Sequence, residues 1–153
     1  VVREFGSEIL GAGGKIDRRA LAAQVFGTPE RLEVLNRLVH PPVFRREDEL
    51  IAEFAAREPH GIAVVEAAIL IETGSYRRYD RIILVTCREE QQVERALRRA
   101  GASEADVRAR LSRQMSLEEK RKHADFVIDT SGEKAETVRQ TCAVFQELRR
   151  IEG

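Results

Sequence analysis

Arg95 and Arg99 stand four residues apart, as do Arg110 and Gln114. On a helix this spacing sets each pair on one face. A guanidinium is permanently charged, and its fork grips two phosphate oxygens at once. The segment then enters Ala124-Asp125-Phe126-Val127-Ile128-Asp129, a short apolar strand that ends in Thr130-Ser131-Gly132. In open α/β sheets, ligands bind outside the carboxyl ends of such strands. Arginines on a helical flap beside such a loop suit phosphoryl transfer, where positive charge stabilises the transferring group. Between Arg88 and Lys122 there are ten basic and seven acidic residues, although the whole chain is neutral. A solvated charged face, with Glu94 and Glu104 as local partners, has the same spacing.

Glu66 and Glu72 bracket the exit of an earlier apolar run, in Val65-Glu66-Ala67-Ala68-Ile69-Leu70-Ile71-Glu72. A carboxylate at that place faces the ligand crevice and can hold Mg²⁺ directly or through water. A capping or surface acid is the alternative. His40 precedes Pro41 at an expected helix end, where an imidazole beside the last carbonyls is a common cap. His60 and His123 have no partner at metal-ligand spacing and read as surface residues. Gly11-Ala12-Gly13-Gly14-Lys15 departs from a phosphate loop. Ile9 stands where the first glycine belongs, Ile16 follows the lysine, and the preceding segment reads as helix. A surface turn is expected there.

The elements that position these residues fall into two parts. Residues 1–58 read as almost wholly helical: a short amphipathic piece over Val1–Leu10, a helix capped by Asp17, and a helix started by Thr28-Pro29. His40-Pro41-Pro42 is expected to end that helix, because proline cannot continue the ladder, and another is expected to run to about Arg57. From Gly61 the pattern changes to unbroken apolar runs, Ile62–Val65, Ile82–Val85 and Phe126–Ile128. Such runs between helices mark strands of a parallel sheet covered on both faces. Four capping boxes open the intervening helices: Thr86 with Glu89, Ser103 with Asp106, Ser116 with Glu119, and Thr130 with Glu133. The last helix is expected to bury a stripe of Ala135, Val138, Cys142, Phe145, Leu148 and Ile151.

The bulk composition narrows the function classes. Lys+Arg and Asp+Glu number 26 each, a balance that argues against wholesale nucleic-acid or membrane-surface binding. Of the basic residues, 22 are Arg and four are Lys. Cys87 and Cys142 have no CxxC spacing, so neither a disulfide framework nor a zinc site is expected, and a cytoplasmic protein with reduced thiols is the default. No apolar run reaches transmembrane length. Three strands are few for a doubly wound domain, and Val1-Val2-Arg3-Glu4-Phe5 reads like the middle of a helix. One βαβ unit of roughly 30–50 residues is therefore expected upstream.

Taken in order, these pieces resemble the dephospho-CoA kinase family over essentially the whole chain. The resemblance runs through Phe5-Gly6, Ile16-Asp17-Arg18-Arg19-Ala20-Leu21, Val25-Phe26 and Leu38-Val39-His40-Pro41. It continues through Glu66 to Glu72, Gln92-Val93-Glu94-Arg95, Arg99, Gly101, Gln114, Lys120, Ala124-Asp125 and Val127-Ile128-Asp129 before Gly132. The family commonly has Asp at Glu66, Pro at Ala68, Phe at Ile71 and Asn at Thr130.

The resemblance implies an α/β, P-loop kinase-like parallel sheet with flanking helices. It implies a helical CoA-binding subdomain over residues 1–60, the rest of the nucleotide-binding core over 61–153, and a helical lid at about 99–122. It implies transfer of the ATP γ-phosphoryl, with Mg²⁺, to the 3′-hydroxyl of dephospho-CoA. Arg18, His40, Pro41 and Glu72 would bind substrate, and Arg99 and Arg110 would act from the lid. Arg95, Gln114, Thr130, Ser131 and Gly132 would contact the nucleotide, and Glu66 would hold the metal. The family's phosphate loop and the Asp-containing motif expected to act as base for the substrate hydroxyl would lie upstream of Val1, so the 153 residues alone are expected to turn over little. No nucleic-acid or membrane partner is implied, and a monomer or weak homo-oligomer is expected. Two rivals are a related P-loop kinase for a nucleotide or small alcohol, and a non-catalytic interaction module of the same fold.

Overall fold

A computed structural model describes residues 1–25, 27–98 and 103–151, which divide into two units, Val1–Ala63 and Val64–Gly153. The first unit opens with helix α1 (Val2–Phe5). Gly6 then takes φ 81 and ψ 175, a backbone conformation that L side chains rarely adopt, so glycine suits this turn. A 3₁₀ turn at Ser7–Ile9 follows. The Gly11–Lys15 segment is a surface turn, closed by an antiparallel bridge between Leu10 and Ile16 and by Gly11 N–H donating to the Lys15 carbonyl at 2.9 Å. Asp17 caps helix α2 (Arg18–Val25) as its sequence predicts: Oδ1 accepts from the N–H groups of Arg19 at 2.8 Å and Ala20 at 3.2 Å. Phe5, Ile9 and Val25 form the buried cluster, with Leu21, Val34 and Leu35 packed against it.

Helix α3 runs without a break from Pro29 to Arg57, 29 residues with Pro41 and Pro42 inside. The helix end expected at His40-Pro41-Pro42 is therefore absent. The two prolines deprive the Arg37 and Leu38 carbonyls of helical donors. Arg37, Leu38, Pro41 and Pro42 are all exposed, so water can serve those carbonyls and the flanking turns can propagate. Thr28 occupies the cap position without a side-chain bond, and Pro29 starts the helix.

The second unit holds two parallel strands, β1 (Ile83–Thr86) and β2 (Phe126–Asp129), in the register Ile83–Phe126 to Thr86–Asp129. The third expected strand does not form: residues 61–67 carry no regular secondary structure, and Val64 is 77% exposed. An apolar run supplies burial potential, whereas a strand also needs a partner's backbone groups. The β1–β2 pair is clasped at its start. Asp125 N–H donates to the Ile82 carbonyl at 2.9 Å, and Asp125 Oδ2 accepts the Ile82 N–H at 2.7 Å.

Helices α4 (Glu89–Leu97), α5 (Glu104–Leu111) and α6 (Leu117–Arg121) lie between the strands in sequence, and α7 (Lys134–Ile151) follows them. Ser116 caps α6 as expected, its hydroxyl accepting the Glu119 N–H at 3.2 Å. Ser103 directly precedes α5, and its carbonyl accepts the Val107 N–H at 3.0 Å. The Thr86 and Thr130 boxes are not made. Arg88 is the N-cap of α4, and the Thr130 hydroxyl donates instead to the Thr86 carbonyl at 2.9 Å.

Helix α7 also turns a different side inward. Val144 is buried, whereas Val138 and Phe145 of the expected stripe are about half exposed, at 51% and 50%. Its register on β2 is set by Gln140, which accepts the Asp129 N–H at 2.8 Å and donates to the Asp129 carbonyl at 3.2 Å.

Candidate functional site

Two side-chain clusters in the second unit gather half of the candidate site residues singled out by sequence. The first lies at the carboxyl ends of β1 and β2. Arg95, on α4, donates from Nη1 to Thr130 Oγ1 and from Nη2 to the Thr130 carbonyl, each at 2.8 Å. The Thr130 hydroxyl donates in turn to the Thr86 carbonyl, so one guanidinium fastens the β2 exit to the β1 exit. Ser131 Oγ accepts the Arg88 N–H at 3.2 Å, and the Ser131 carbonyl accepts from Gln91 Nε2 at 3.0 Å. The Ser131 hydroxyl and N–H hold the exposed Asp129 carboxyl below its ordinary range. Gly132 is open: a Cβ there would meet nothing within 4 Å. The result is a rigid turn with a bare glycine at its tip, a shape that lets a flat ring approach backbone closely.

The second cluster is centred on Lys120, which is 8% exposed. Its Nζ lies 2.8 Å from Glu72 Oε1, 3.4 Å from Gln114 Oε1 and 3.5 Å from the Ala68 carbonyl. Glu72 Oε1 also accepts the Met115 N–H at 3.1 Å. Burial pushes the Glu72 carboxyl up, but the Lys120 ammonium and the backbone N–H groups of Glu72 and Met115 outweigh it and hold the group below its ordinary range. Glu72 Oε2 is buried with no partner among the described residues. A recess of about 70 Å³ adjoins the cluster, lined in part by Ala68, Ile71, Leu84 and Lys120.

Sequence reasoning quoted Lys120 but gave it no role. One signal pointed to it. It is one of only four lysines in an arginine-rich chain, and a compact ammonium fits a small buried site that a guanidinium would overfill.

The remaining candidates are more dispersed. Arg110 lies in the last turn of α5 and is exposed; Arg99 falls outside the described residues. In the first unit, Arg18 is the exposed first residue of α2. His40 is half-buried within α3, its ring tilted 42° against Phe44 at 5.6 Å, and Pro41 is the exposed next residue.

Glu66 is exposed. Among the described residues no group of three His, Cys, Asp or Glu side chains converges. Mg²⁺ takes one or two carboxylates and completes its octahedron with water and phosphate oxygens. Glu66 fits that role as a single ligand. Glu72 does not, because its Oε1 is already engaged by Lys120 and Met115 and its Oε2 is buried.

The comparisons with known proteins are consistent in kind. The family model for dephospho-CoA kinase (CoaE) matches residues 1–136. A dephospho-CoA kinase of Aquifex aeolicus is 41% identical over 150 residues, covering 98% of this chain and 74% of that protein. One from Thermobifida fusca is 38% identical with the same coverage, 98% and 74%. Among solved structures, TT1252 from Thermus thermophilus superposes with a TM-score of 0.75 at 37% identity, covering 96% of this chain and 74% of that one. The dephospho-CoA kinase of Campylobacter jejuni gives 0.64 at 27% identity, covering 99% and 75%. No helix among the described residues is long and apolar enough to cross a membrane. With a family model matched over most of its length and curated relatives matched over nearly all of it, this α/β chain belongs to the dephospho-CoA kinase family of ATP-dependent phosphotransferases.

Proposed function

We propose that this protein acts in the cytoplasm to transfer the γ-phosphoryl of ATP to the ribose 3′-hydroxyl of dephospho-CoA, giving CoA and ADP. Family membership carries this reading. In the step, the 3′-oxygen bonds to the γ-phosphorus and the bond from that phosphorus to the β-γ bridging oxygen breaks. The hydroxyl proton leaves to a base or solvent.

In this reading the first unit takes the CoA moiety, with Arg18, His40 and Pro41 as its contacts, and Glu72 holds a polar group of the same substrate. The Thr130-Ser131-Gly132 turn receives the adenine of ATP. Arg95 and Gln114 stand beside the nucleotide, and Arg110, with Arg99, brings positive charge to the phosphates when the lid over 99–122 closes. Charge placed before the reaction needs no reorganisation during it. Mg²⁺ held at Glu66 would neutralise phosphate charge. The exposed surface of Arg110 and the open Gly132 tip support these assignments.

Calorimetric titration of the purified chain with dephospho-CoA, AMP and GMP tests the substrate, and mass spectrometry of mixtures with ATP and Mg²⁺ reads any phosphoryl transfer to a monophosphate. Binding of dephospho-CoA at least about tenfold tighter than either monophosphate, a difference of ~1.4 kcal/mol, is the expected result. Equal affinity for the monophosphates, or phosphoryl transfer to them, would assign the chain to another substrate.

A further inference from the structure

We infer that Lys120 is a positioning residue for the reaction: from one buried point its ammonium fixes both Glu72 and Gln114, and so sets the placement of a substrate contact and a nucleotide contact together. The roles of Glu72 and Gln114 rest on the function proposed above; the geometry of Lys120 does not. The ammonium meets three acceptors from two stretches of chain: Glu72 Oε1 at 2.8 Å and the Ala68 carbonyl at 3.5 Å from one, and Gln114 Oε1 at 3.4 Å from the other. Glu72 then passes the constraint on, because the oxygen that binds Lys120 also accepts the Met115 N–H at 3.1 Å. The Gln114–Met115 connector between α5 and α6 is thereby held at two adjacent residues.

Cohesion alone is a poor reason for this arrangement. Burying an ion pair costs desolvation that its attraction offsets only with good geometry and full hydrogen bonding, and an apolar replacement is often as stable. Here the network is one donor short, since Glu72 Oε2 is buried without a partner among the described residues. What the charge supplies is placement: it fixes which rotamers Glu72 and Gln114 can adopt and where the connector leaves α5.

The test compares Lys120→Met and Lys120→Arg with the parent chain. It reads backbone amide exchange by NMR and the affinities for dephospho-CoA and ATP by calorimetry. Lys120→Met is expected to speed Met115 amide exchange about tenfold and to weaken both ligands by about tenfold, the scale for a lost charge-assisted contact. The Glu119 amide, capped independently by Ser116, is expected to exchange as in the parent. Lys120→Arg restores the charge, but its larger guanidinium overfills the site, so it is expected to recover only part of both effects.

Parental Met115 exchange in Lys120→Met would overturn the inference. So would faster exchange with unchanged affinities in a parent that binds both ligands, because the lysine would then be cohesive only. If the parent binds neither ligand, the proposed function fails while the exchange comparison still decides whether Lys120 positions the connector. Should Lys120→Met not fold by circular dichroism, Glu72→Gln replaces it. That variant keeps an acceptor but removes the ionic hold, and it must still release Met115 for the inference to stand.

Discussion

Replacing Arg95 by alanine removes two hydrogen bonds of 2.8 Å from the turn that follows β2. Each such bond contributes about 0.5–1.5 kcal/mol net. Arg95 is exposed, so solvent screening places the pair near the lower end, at about 1 kcal/mol in total. The Thr130 amide remains bonded to the Thr86 carbonyl at 2.8 Å, so the ladder survives while the clamp over it is lost. A change of about 1 kcal/mol multiplies local opening roughly fivefold. Native-state exchange of the Thr130 amide reads this directly. Arg95→Lys keeps the charge but loses the planar fork that spans the two acceptors, so about half of the effect should remain. Thr130 exchange that is unchanged in Arg95→Ala would refute the reasoning and leave Arg95 as a cation for phosphate alone. In that case Arg95→Lys would hold ATP as well as the parent.

Asp125→Ala orphans the Ile82 N–H, whose residue is buried at 8% exposure. A loss of about 1–3 kcal/mol should appear in urea melts followed through the second unit, with Asp125→Asn costing less because an amide oxygen can still accept. The Glu72 carboxyl is held below its ordinary 4.5, so its contribution is full above that pH and is lost as pH falls through the lower, folded value. Acid melts of Glu72→Gln should therefore be flatter than the parent's below pH 4.5, and equal slopes would contradict the assignment. Gly61→Ala would set a Cβ at 2.5 Å from Phe54 Cζ and 2.9 Å from Glu58 Cβ. The ring can shift but the Cβ on the helix end cannot, so a loss of about 1–3 kcal/mol is expected in the melting of the first unit.

Local chemistry was legible where one residue decides it. Asp17 and Ser116 cap their helices because a short side-chain acceptor before a helix has one good geometry. The runs Ile82–Val85 and Phe126–Ile128 became β1 and β2 because each found the other. Ile62–Val65, equally apolar, gained no ladder, and nothing in its own composition distinguishes it. Pro41-Pro42 misled because propensity prices the lost hydrogen bonds but not their exposure to water. On α7, periodicity showed an apolar side but not the polar key, Gln140 on Asp129, that turns Val144 inward. In the site, the fold brings the strand-end residues Arg95, Thr130 and Ser131 together. The bonds they make to each other were invisible in sequence, because pairs 35 or more positions apart leave no local signature.

The clasp between Ile82 and Asp125 joins residues 43 positions apart, and the Thr130 hydroxyl closes the far end of the same excursion onto Thr86. The chain that carries α4, α5 and α6 therefore leaves and returns through two pinned gates. An insertion within that excursion alters neither gate, and doubling its length would cost only about 0.6 kcal/mol of closure entropy. Descendants of this sequence can thus lengthen or shorten their arginine-bearing flap, and so adjust how far it extends, while strand register is inherited unchanged.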